Sequence, residues 1–300
     1  MKKFIISLLV SLVPFISFAQ NKVKEYQMSG FTGIKATHQY KINVKKGNSK
    51  TIKVEYPLEL ETYISVMQEK DIVVFSFNKS FTQKVASTFD SKEKAKANQI
   101  VVTLEMPELN YVELEGSCSL NMEGHFQTSV FSCALSGACD ANLSVWASTL
   151  RGSVSSSAKL FAEGSWENID FEKSGSSKLK ISGDCNGLLL KASGSGDFNF
   201  DGEIDDHAKV EAGGSSNNYF KGECKYLVIN ATKTALVDAQ KLNATSAEVS
   251  ARGFSKVHVR ASKDLSLDAG MTAKIHYYGD PKNLYLEGNG TRYEAEGDKK

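Results

Sequence analysis

The chain has 300 residues, 36 basic and 35 acidic side chains, and a formal net charge of +1. That balance gives no electrostatic footprint for nucleic acid. With only 4 prolines and 23 glycines, the composition fits regular strands joined by tight corners and excludes low-complexity disorder.

The first residues read as a secretory signal over 1–19. Lys2 and Lys3 form the basic start, Phe4 to Phe18 the apolar run, and Ser17-Phe18-Ala19 a small-residue cleavage site before Gln20. The run is short for a bilayer and contains Pro14. No cysteine precedes Cys118, which argues against a lipid anchor. No later stretch is long and apolar enough to span a membrane as a helix. The expected location is therefore the periplasm, the outer-membrane surface or the extracellular space.

The rest of the chain, 20–300, reads as a single domain in two parts. Residues 20–108 form an N-terminal β-segment. Ile34 to Val44 alternates imperfectly, Lys46-Gly47-Asn48 is a turn, and Thr51 to Tyr56 alternates cleanly as a half-buried strand should. Leu58 to Met67, Asp71 to Phe77 and Gln99 to Met106 continue the pattern. Between the last two lies a charged insertion, Lys79 to Asn98, expected as a surface loop or short helix without chemistry.

From 109 to 300 one theme recurs about every 20 residues, a β-prone run into a Gly/Ser-rich corner and out again. The corners read Glu115-Gly116-Ser117, Ser136-Gly137-Ala138, Ser155-Ser156-Ser157, Ser174-Gly175-Ser176, Ser193-Gly194-Ser195 and Gly213-Gly214-Ser215. They weaken to Thr232-Lys233-Thr234, Arg252-Gly253-Phe254, Ala269-Gly270-Met271 and Gly288-Asn289-Gly290. Aligned in register, the units share apolar positions. One runs Val112, Cys133, Phe171, Leu190, Val210, Ile229, Val249, Leu267, Leu286; a second Leu160, Leu179, Phe198. A third runs Met122, Leu143, Ala162, Ile181, Phe200, Phe220; a fourth Phe126, Trp166, Cys185, Ile204, Cys224. Parallel strands ~4.8 Å apart would stack these into continuous columns. A β-sandwich also uses Gly/Ser turns but needs no fixed register. The expected fold is an all-β parallel β-helix of about ten coils behind the N-terminal β-segment.

Gly30-Phe31-Thr32-Gly33-Ile34, then Met106-Pro107-Glu108-Leu109 leading into Val112 to Ser117 and serial Ser-Gly-Ser corners, resembles the putative auto-transporter adhesin "head GIN" domain family. The resemblance covers roughly residues 25–290. It implies a right-handed parallel β-helix in secreted or envelope proteins of Bacteroidetes-type bacteria, and carries over no catalytic residues.

Three groups of side chains are candidate sites. Cys118 and Cys139 occupy one corner position in successive units, about one strand spacing apart, within reach of a disulfide. Asp184, Glu203 and Glu223 each follow the second glycine of their unit and should stack on one edge. Like charges at strand spacing repel, so such a ladder is either solvated or holds a cation, with Ca²⁺ the candidate ion. Tyr277, Tyr278 and Tyr285 are a candidate aromatic patch for sugar or protein contacts, or else caps on the open end of the solenoid. No histidine or arginine constellation accompanies the acids, so a catalytic site is not expected. The reading is a non-catalytic adhesin-like binding or structural module whose partner is a surface glycan or envelope protein. The alternative is a carbohydrate-active enzyme, a polysaccharide lyase or glycoside hydrolase using the stacked carboxylates.

Overall fold

The computed structural model describes residues 21–28, 30–49, 51–78, 100–287 and 292–296. The expected signal sequence, the charged insertion and the corner Gly288-Asn289-Gly290 lie outside them. The strands of the first part are β1 (Asn21–Gln27), β2 (Gly33–His38), β3 (Lys41–Lys46), β4 (Thr51–Pro57), β5 (Ile64–Glu69), β6 (Ile72–Phe77) and β7 (Val101–Met106). Next come β8 (Tyr111–Gly116), β9 (Ser119–Glu123), β10 (Phe126–Leu135), β11 (Asp140–Val154), β12 (Lys159–Lys173), β13 (Lys178–Ala192) and β14 (Asp197–Ala212). The last are β15 (Asn217–Ala231), β16 (Leu236–Ala251), β17 (Lys256–Ala269), β18 (Lys274–Tyr278), β19 (Asn283–Glu287) and β20 (Tyr293–Ala295).

These strands wind into a parallel β-solenoid of about ten turns. From β11 to β17 each strand follows one coil from corner to corner. From β12 to β16 both halves of each strand pair in parallel with the coil before it and the coil after it. Inward residues alternate with outward ones, and the alternation breaks where two outward residues adjoin, as at Glu167 and Asn168. Coils meet in register because each one offers its apolar row only to the coils above and below.

The N-terminal segment is part of the solenoid, not a preface to it. β2 lies between β6 and β8, all parallel, and β3 lies between β7 and β9. The earliest rung thus sits inside a rung supplied later in the chain. The imperfect alternation of Ile34 to Val44 is a coil corner, with His38 at φ 77°. Beyond the outer rung, antiparallel β4 and β1 extend one side and antiparallel β5 the other. These strands cover the N-terminal end. Leu58–Leu60, expected within a strand, is a single 3-10 turn.

The main inward column runs Val73, Ile34, Val112, Cys133, Gly152, Phe171, Leu190, Val210, Ile229, Val249, Leu267. Each of its apolar members is buried. Phe126 departs from the expected alignment. It stands in register with Val145 and Gly164, whereas Trp166 pairs with Ala147. Phe126 fills with a ring the place where later coils bring backbone to backbone at glycine. The corners form a second column with left-handed backbone at Gly116, Gly137, Ser156, Gly175, Gly194, Gly214, Lys233, Gly253 and Met271. Met271, not Gly270, therefore makes the ninth corner. Glycine is preferred there because it reaches positive φ without a Cβ clash, and three of these nine positions meet the strain with a side chain.

Candidate functional site

The glycines at the other bend set the outward edge. Gly164, Gly183, Gly202 and Gly222 stack, each so close to the coil before it that a Cβ would come within 2.0 Å of a carbonyl oxygen. The residue after each points outward. That outward column runs Gln127, Trp146, Ser165, Asp184, then Glu203, Glu223 and Asn243. The structure thus places Asp184, Glu203 and Glu223 on successive coils of one edge, with an indole two coils before them.

Asp184 is already engaged, its Oδ1 accepting the backbone N–H of Glu203 at 2.9 Å. A bulge in β14 sets Asp205 and Asp206 opposite the single residue Asn186, adding charge beside the column. Lys221 pairs with Asp201 at 2.9 Å nearby. Inside the same edge, burial pushes the Cys185 thiol up to about 12, with smaller contributions from Cys224, Asp184 and Asp205.

Trp146 is 46% exposed. Its ring stacks on the His125 imidazole, centroids 5.0 Å apart and planes 9° from parallel. His125 Nδ1 meets Ser144 Oγ at 2.6 Å, and that hydroxyl donates to Glu163 at 3.2 Å. The buried serine lies between imidazole and carboxylate. In a nucleophilic triad the imidazole takes that middle place, so this chain of bonds fixes His125 and, through it, the indole. The next coil offers only Ser165 beside Trp146. A groove of about 430 Å³ opens there, lined by Gln127, Thr128, Trp146, Ser165, Glu167 and Asn186 among others.

The other expected groups are placed as follows. Cys118 and Cys139 adjoin on successive rungs, both buried and both free. The hydrogen bond between their thiols pushes Cys118 up and holds Cys139 down. Tyr277 and Tyr278 lie on β18 and Tyr285 on β19, which pair with different halves of β17. Tyr285 is exposed, while Tyr278 is half-buried under Arg260 and bonded to His258. The three do not form one patch. Among the described residues, the group of side chains whose ligand atoms converge within 4.8 Å is His276, Glu294 and Glu296, not the acidic ladder. No helix among the described residues is long and apolar enough to cross a membrane.

The family model described as "putative auto-transporter adhesin, head GIN domain" matches the chain twice, over residues 30–185 and 184–281. The chain belongs to the head GIN domain family. Among solved structures, a putative adhesin from Parabacteroides merdae ATCC 43184 is similar, with TM-score 0.51 and 14% identity, covering 93% of this chain and 97% of that one. A putative lipid binding protein from Parabacteroides distasonis ATCC 8503 has TM-score 0.47 and 14% identity, covering 92% and 96%. At 14% identity the likeness to the Parabacteroides merdae structure speaks for the fold alone. Among curated proteins, none matches.

Trp146 and His125 escape the sequence reading. The acidic column is found there by its preceding glycine, and in the coil of Trp146 that place is Val145. Only the full register joins the indole to the acids.

Proposed function

We propose that this head GIN protein is an exported envelope module that holds a surface glycan on its outward edge without turning it over. The observation that carries the reading is Trp146. An indole left nearly half exposed, stacked flat on His125 and lining a groove, is a platform for the apolar face of a sugar ring. Gln127, Ser165, Glu167 and Asn186 supply hydrogen-bonding groups to its hydroxyls, and the acidic coils beyond favour neutral or amino sugars over acidic ones. Membership in an adhesin-type family supports the surface location.

The test is retention of cell-surface polysaccharides and a glycan array by the wild type and by Trp146→Ala. Binding should fall at least tenfold in the variant, with no new reducing ends or unsaturated products. Equal binding by the two proteins would refute the site. Turnover that disappears in Glu203→Ala would replace the binding module with an enzyme.

A further inference from the structure

A second outward column ends in unusual chemistry. It runs Tyr219, Asp238, His258, His276, Glu294 along neighbouring strands at the C-terminal end of the solenoid. Strand β20 supplies Glu294, and the backbone N–H of Glu296 just beyond it bonds to Tyr277 O at 2.9 Å. Both carboxylates therefore turn to the His276 ring. Its Nδ1 lies 3.2 Å from Glu294 Oε2 and 3.3 Å from Glu296 Oε1.

From these residues we infer a site for a divalent transition ion of the zinc class, independent of the glycan reading. A tetrahedral ion bound at ~2.0–2.1 Å to nitrogen and oxygen sets neighbouring ligand atoms about 3.3 Å apart. The two Nδ1–oxygen separations match that edge. One imidazole nitrogen with two carboxylates suits zinc; calcium prefers an all-oxygen set.

The surroundings hold the ligand in place. His276 is 8% exposed, its Nε2 has no partner among the described residues, and His258 lies against it with centroids 4.7 Å apart and planes 11° from parallel. A proton on Nδ1 would be donated to Glu296 at 3.3 Å. In the tautomer with its proton on Nε2, the Nδ1 lone pair faces both carboxylates, the place an ion would fill. Lys274, 3.9 Å from Glu294, touches one carboxylate only. A dication satisfies all three groups at once. It also ties β20 to β18, a pairing that otherwise rests on the short register Ile275–Tyr293, His276–Glu294, Tyr277–Ala295.

The experiment is zinc calorimetry on the chain without a histidine tag, beside the double variant Glu294→Gln, Glu296→Gln. Cobalt absorption in the visible range reads the coordination directly. Both glutamates are partly exposed, 49% and 38% at the side chain, so the amides leave the fold intact, as a circular dichroism spectrum would verify. One zinc per wild-type chain, weakened at least tenfold in the variant together with loss of the cobalt band, is expected. Absence of stoichiometric binding in the wild type, or a loss smaller than tenfold in the variant, would overturn the site.

Discussion

A Cβ built on Gly202 would stand 2.0 Å from the carbonyl oxygen of Gly183, one coil before it. This contact is what lets the chain bend at the outward edge while keeping the coils in register. Gly202→Ala must therefore push two coils apart, and the repulsion acts on backbone, which cannot rotate away. A loss of about 3 kcal/mol is expected from such overpacking. Gly213→Ala is the control. Apart from the residues on either side of it, the nearest atom to a Cβ there is Thr232 Oγ1 at 3.4 Å, and the variant's stability should stay within about 0.5 kcal/mol of wild type. Guanidinium denaturation of the pair reads the difference, and equal midpoints would show that the glycine stack is not a constraint.

Lys173 occupies an inward position between Val154 and Ala192. It is 1% exposed and its Nζ has no hydrogen-bond partner among the described residues. Burial lowers its pKa, with Asp197 partly opposing the shift. A base whose folded value lies below its unfolded one destabilises the fold while both states are charged. As pH rises from that lowered value toward the ordinary lysine value of ~10.4, the unfolded chain keeps a proton the folded chain has lost, and stability recovers. Lys173→Met should stabilise the protein by about 1–3 kcal/mol at pH 7. The gap between variant and wild type should narrow at alkaline pH. A gap that stays constant from pH 7 to 10, or a less stable variant, would contradict this account.

The inward columns were legible in the sequence because like side chains recur at a fixed period. Val112 through Leu267 align as they do on paper and are buried, with Gly152 as the coil that hides the pattern, while Leu286 keeps the register but is exposed. The spacing from glycine aligned the acids and the column Trp166, Cys185, Ile204 and Cys224, and it failed for Phe126 alone. Gly124 is a corner between β9 and β10, so counting from it misplaced Phe126. The interleaving of β2 and β3 left no trace either, because strand order is set by long-range pairing while alternation reports only local burial. The acidic edge was visible as spacing. The indole that turns it into a candidate binding face was not, since an outward tryptophan has no period.

Ile34 lies between Val73 and Val112, so an early residue separates two that follow it. It is fully buried. Ile34→Ala removes contacts with both neighbours and should cost about 3 kcal/mol. Because the three strands pack as one unit, amide exchange should accelerate together in β2, β6 and β8. Val257→Ala, in β17, should leave those amides unchanged, since coils communicate through neighbours only. Faster exchange confined to β2 would show that the outer rung stands by itself.

Cys118 and Cys139 share a buried position on adjacent rungs. Their mutual hydrogen bond eases loss of a proton from Cys139 and resists it at Cys118. A thiol whose proton is more easily lost beside a second thiol is the arrangement from which exchange with an oxidised partner forms a disulfide. The other three cysteines lack such a neighbour. Burial pushes Cys133 and Cys185 up to about 12 and Cys224 up to about 11, leaving little thiolate at neutral pH. Treatment with oxidised glutathione should therefore consume Cys118 and Cys139 alone. Alkylation under denaturing, non-reducing conditions should then modify Cys133, Cys185 and Cys224, with peptide mapping joining the remaining pair. The bridge closes a loop of about 20 residues, for which ~3 kcal/mol of stabilisation is expected, lost on reduction. Alkylated Cys118 in the oxidised sample, or a bridge that brings no gain in denaturation midpoint, would count against the staple.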